Sequence, residues 1–169
     1  MQKAFASSLL LLAACSGGGG GSPPPANNLL QLQVDGVTLP PGASQGAVTV
    51  RLAPFPATLR PALLECDVVV EPPHLAVATS RAPLQALQAR PTLDGEVRPG
   101  GFHVLYGDGE NPGAQVLASG SLFAVYLETL SPRAPGDVTV SLRNLRVVDE
   151  AGANVPVDRA PVAARVVVQ

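Results

Sequence analysis

From Leu30 onward the apolar positions recur in short alternating runs, separated by proline, glycine and small polar residues. That period of two is the mark of half-buried strands. Nine runs qualify: 30–37, 47–52, 62–70, 75–80, 88–97, 102–106, 122–130, 138–148 and 162–168. Pro91 inside the fifth run makes it an edge strand or a bulge. The one helical candidate, 82–89, lies between two prolines and is too short to matter. The pattern predicts an all-β, antiparallel nine-stranded β-sandwich with jelly-roll topology. Alternation also assigns faces. In the third run Leu64, Cys66, Val68 and Val70 point inward, and Glu65, Asp67 and Val69 point outward. In the eighth, Val138, Val140 and Leu142 point in, against Thr139, Ser141 and Arg143. In the sixth, Phe102, Val104 and Tyr106 share one row, and His103 and Leu105 the other. Tyr126 falls in an inward-looking apolar row, while Phe55, between Pro54 and Pro56, is expected to be exposed.

Composition narrows the function classes. The 169 residues make one ordinary domain. Only 14% are charged, with 11 Lys and Arg against 13 Asp and Glu, so no basic surface calls for nucleic acid. The 17 glycines and 18 prolines suit short strands and turns. No Gly-x-Ser-x-Gly elbow occurs, and His103 within a strand has no relay geometry, so no catalysis is expected. The two histidines, His74 and His103, and two cysteines give no metal-ligand spacing. Asp108-Gly109-Glu110-Asn111 lacks the spacing of a calcium loop and is explained by turn chemistry. No cofactor is implied. Flat sugar-binding faces need aromatic platforms, and with no Trp and two Tyr the stripe is missing.

The first 14 residues have a short positive start, an apolar run too brief to span a bilayer, and small residues before Cys15. Leu12-Ala13-Ala14-Cys15 resembles the lipobox of bacterial lipoproteins. The resemblance implies a signal peptide over 1–14, lipid on Cys15, and an address in the bacterial cell envelope, at the outer membrane. Residues 15–29 then form a tether, with five glycines between two serines followed by Pro23-Pro24-Pro25. With Cys15 lipidated, Cys66 has no disulfide partner and serves as a small buried hydrophobe.

Within 30–169 a series of motifs follows in order. Leu64-Glu65-Cys66-Asp67-Val68-Val69-Val70-Glu71-Pro72-Pro73-His74-Leu75 resembles, without a gap, the cohesin strand ending in Tyr-Asp-Pro-x-x-Leu, with Val70 and Glu71 in place of Tyr and Asp. Val104-Leu105-Tyr106-Gly107 resembles the family's sixth strand, and Gly120-Ser121-Leu122-Phe123-Ala124-Val125 its entry to the seventh. Ala134-Pro135-Gly136, then Asn144-Leu145-Arg146-Val147-Val148-Asp149-Glu150-Ala151-Gly152, resemble the eighth strand and terminal hairpin. The resemblance implies a cohesin-like sandwich whose third, fifth, sixth and eighth strands meet a protein partner, a dockerin in that family. It assigns Glu65, Leu105 and Asp108 to partner contacts, and the outward residues Asp67, His103, Ser141 and Arg143 complete the expected face. The function expected is a membrane-anchored, non-catalytic protein-binding module. A carbohydrate-binding module that takes a polysaccharide, or a structural envelope lipoprotein without a dedicated ligand, are the alternatives.

Overall fold

A computed structural model describes residues 28–72, 75–77, 84–89, 91–107, 116–129, 136–158 and 162–169. Cys15, the signal peptide, nearly all of the tether, His74 and Asp108 lie outside the described residues. Eleven strands are present among them: β1 (Leu32–Asp35), β2 (Val37–Leu39), β3 (Gln45–Leu52), β4 (Pro61–Glu71), β5 (Leu75–Val77), β6 (Leu84–Ala86), β7 (Thr92–Arg98), β8 (Gly101–Gly107), β9 (Gly120–Thr129), β10 (Gly136–Asp149) and β11 (Val162–Val168).

They form a two-layer all-β sandwich with jelly-roll topology. One sheet runs β1-β3-β9-β5, with β6 also paired to β9, and the other runs β2-β11-β10-β4-β8-β7. Two differences raise the strand number above nine. The first predicted run divides at Gly36, where β1 leaves one sheet and β2 joins the other. A Cβ at Gly36 would stand 2.5 Å from the Arg165 carbonyl oxygen, so only glycine lets the chain cross there. The second difference is in the helical candidate, where Leu84–Ala86 pairs with Leu84↔Val125, Gln85↔Ala124 and Ala86↔Phe123 on β9. Three residues between prolines cannot nucleate a helix but can satisfy their backbone on a neighbouring strand. The pairing is antiparallel except for β2 on β11, which is parallel.

The inward rows behave as alternation requires. Cys66, Val68, Val104, Val138 and Val140 are all completely buried, and Tyr106 and Phe123 meet with ring centroids 5.5 Å apart. Two aromatic expectations need correction. Tyr126 is half-buried on the outer side of β9, with its hydroxyl on Gln85, because Val125 and Leu127 take the inward positions on either side. Phe55 is partly buried and packs against the core, since the loop from β3 to β4 folds its one apolar ring inward.

Candidate functional site

The six-stranded sheet turns its inner face to the core, and among the described residues no element covers the other. On that outer face the register aligns two rows across four strands. One row runs Arg143 (β10), Asp67 (β4), His103 (β8), Glu96 (β7), and the next runs Arg146, Glu65, Leu105, Asp94. Ser141 lies one row further, opposite Val69. The expected residues Glu65, Asp67, His103, Leu105, Ser141 and Arg143 therefore share one surface. β7 is an edge strand, but Pro91 lies just before it and not inside it, so the proline takes no part in the ladder.

The alternation reading missed Asn144 and Arg146. Strict alternation after Arg143 points Arg146 into the core. Instead the register slips by one residue between Arg143↔Asp67 and Arg146↔Glu65, and Asn144 sits at φ 53°, in the left-handed region. The extra residue makes a bulge, so both arginines face outward. An asparagine in mid-strand is the only local hint, because asparagine tolerates that conformation better than other non-glycine residues.

Asp67 is the most heavily engaged group of the face. Its Oδ2 accepts from Asn144 Nδ2 at 2.5 Å, its Oδ1 lies 2.8 Å from His103 Nδ1, and Arg98 stands 3.7 Å away. The Asn144 amide foremost, then the His103 contact, hold its carboxyl below the usual range; the charges of His103 and Arg98 assist, and partial burial opposes. His103 turns its other ring nitrogen to Glu65 at 3.5 Å, and Arg146 reaches the same carboxylate at 3.6 Å. Since the two ring nitrogens point apart, the three groups do not converge on one point. Among the described residues no three His, Cys, Asp or Glu side chains could hold a metal ion. Arg143 pairs with Glu71 at 2.8 Å, and Arg98 with Glu96 at 3.1 Å. Leu105, 36% exposed, stands between Glu65 and Asp94 as an apolar point among charged neighbours.

Directly beneath the face, burial and the adjacent carboxylates of Asp67 and Glu65 push the Cys66 thiol up to about 12. Tyr106 is buried too, and burial raises its hydroxyl to about 12, with the Gln88 backbone pulling the other way. Neither group is poised for chemistry near neutral pH.

No protein-family model and no curated protein matches the chain. Solved structures do. The sixth cohesin of Acetivibrio cellulolyticus scaffoldin B, in complex with a Cel5 dockerin mutant, superposes with a TM-score of 0.68 at 16% identity, covering 83% of this chain and 99% of the other. A cohesin of a type I cohesin–dockerin complex from Clostridium thermocellum gives 0.66 at 16% identity, covering 84% and 100%. A non-cellulosomal cohesin from the archaeon Archaeoglobus fulgidus gives 0.60 at 15% identity, covering 83% and 90%. The domain thus has the cohesin fold, as the ordered motifs led one to expect.

Proposed function

We propose that the chain is a non-catalytic protein-binding module that offers the outer face of β10, β4, β8 and β7 to a protein partner, and that lipid on Cys15 holds it at the cell envelope. The observation that carries the reading is Leu105, part-exposed at the centre of two aligned charged rows, which is the mixture of an apolar centre and polar rim that interfaces use. Two of the structural neighbours were solved with dockerins, which supports a dockerin-like partner here. The lipobox resemblance, followed by a glycine and proline tether, supports the anchor.

The test uses the Cys15→Ser chain as bait for lysate of the source organism, with and without calcium, beside Leu105→Asp and Leu105→Lys. Leu105→Asp sets a third carboxylate between Glu65 and Asp94 and costs about 1 kcal/mol of stability. Leu105→Lys is attracted by the same neighbours, so both variants stay folded while losing the apolar contact. A protein retained by the parent and weakened by about 2 kcal/mol in both variants supports the reading. Equal retention by folded parent and variants overturns it, and retention of polysaccharide alone turns it toward the sugar-binding alternative.

A further inference from the structure

Among the described residues β7 is the last strand at one edge of the six-stranded sheet. On one side β7 pairs with β8 over seven positions, from Thr92↔Gly107 to Arg98↔Gly101, and among the described residues no strand runs along the other. The two-residue connection Pro99-Gly100 makes Arg98–Gly101 a pair that exchanges its hydrogen bonds. Alternation then aims the N–H and C=O groups of Leu93, Gly95 and Val97 away from β8, into the free edge. The same residues form the inner row of β7. Leu84 of the facing sheet covers that row at Gly95, whose position a Cβ would share with the Leu84 side chain at 2.1 Å. Beyond it Val97 is left 70% exposed, the most open of the large apolar side chains among the described residues.

Such an edge accepts another strand, and its side chains decide which. A second copy in antiparallel register brings Leu93, Gly95 and Val97 opposite one another or opposite their odd-numbered neighbours. Centred on Gly95, the register sets Asp94 against Glu96 twice. Centred on Glu96, it sets that carboxylate against itself on the two-fold axis, and centred on Asp94 it does the same with Asp94. Centred on Val97, every charged pair is Glu96 against Arg98, both on the outer face, and the two exposed valines meet on the inner face. The Val97 N–H and C=O groups exchange two hydrogen bonds, and each Gly95 N–H can donate to a Pro99 carbonyl. Arg98 already holds Glu96 at 3.1 Å and Asp67 at 3.7 Å within its own chain, so it is stationed on that face.

We infer that β7 is a self-association edge: two copies pair β7 to β7 about a two-fold axis at Val97, held in register by reciprocal Glu96–Arg98 pairs. The axis is normal to the sheet, so the outer faces of both copies point the same way. A strand pairing of this length buries less than the roughly 1,200 Å² of a standard interface, so the association is weak and depends on local concentration.

Cysteine trapping in the full chain carrying Cys15→Ser tests the register, since Cys66 is buried and does not compete. In this register two Val97→Cys thiols lie on Cα atoms about 5.5 Å apart, within disulfide reach. A slip to either neighbouring register moves them more than about 7 Å apart, out of reach. Mild oxidation is expected to give a disulfide dimer for Val97→Cys and little for Leu93→Cys. Adding Glu96→Arg or Arg98→Glu to Val97→Cys replaces both attractive pairs by repulsive ones and should lower the yield about tenfold. Mixing those two double variants restores attraction at both pairs and should return the yield as a mixed dimer. Circular dichroism of each variant confirms that it is folded. Equal trapping at Leu93→Cys and Val97→Cys, no dimer at all, or a mixture no better than its components, each overturns the pairing.

Discussion

Cys66 is a sharp probe of the β4 register, because its two chain neighbours are the carboxylates of the candidate face. The side chain is completely buried opposite Val104, with Leu64 and Val68 on the same inner row. Cys66→Ala removes a group about the size of one methylene and should cost about 1 kcal/mol. Cys66→Asp instead places a carboxyl inside the apolar core, at a cost of about 2–7 kcal/mol whether it ionises or stays neutral. At about 3 °C per kcal/mol for a domain of this size, the alanine variant should melt a few degrees low and the aspartate variant about 10 °C low or unfolded. Thiol chemistry gives a second readout. With the thiol at about 12 against an ordinary 9.0, the thiolate at pH 8 is scarcer by on the order of 10³. A disulfide reagent should therefore label the native Cys15→Ser chain only as fast as it unfolds, and labelling should accelerate with denaturant in step with loss of circular dichroism. Rapid native labelling, or an aspartate variant that melts like its parent, would mean that Glu65 and Asp67 point inward and that the face does not exist.

Asp67 should make stability depend on acid. Its folded pKa is depressed, so its contribution is present above the ordinary carboxylate range and disappears as pH falls through the folded value. Urea titrations from pH 7 to pH 2 should show Asp67→Asn less stable than the parent at neutral pH, the gap closing in acid; a gap that stays constant would refute the role given to Asn144 and His103. At the bulge, Asn144→Gly keeps the left-handed backbone and should cost only the amide hydrogen bond to Asp67, whereas Asn144→Val loses that bond too and should be less stable than the glycine variant by about 1–2 kcal/mol in a thermal melt. Similar melts for both variants would contradict the strain argument. At the N-terminus, a clickable fatty acid fed to expressing cells should label the parent and not Cys15→Ser, and equal labelling would remove the lipid anchor.

Much of this architecture is written into the order of residues. A strand has side chains on alternate faces, so the runs Leu64 to Val70 and Val138 to Leu142 declare their own inner and outer rows before any partner strand is known. The same local rule turned Glu65, Asp67, His103, Leu105, Ser141 and Arg143 outward on their own strands, while it took the cohesin resemblance to set those strands side by side. What the rule cannot reach is pairing between distant segments. Whether 84–86 becomes a strand depends on β9 being there to receive it, and whether the first run divides depends on the approach of Gly36 to Arg165, more than a hundred residues away. Tyr126 turned outward and Phe55 inward because the packing of both sheets decided which side was dry. The bulge at Asn144 is the most consequential case. One additional residue reverses the phase as far as the next slip at Val148, so Arg146 joins Arg143 on the face. Alternation loses the phase at that point, since the slip is defined only against β4, the strand it slips past.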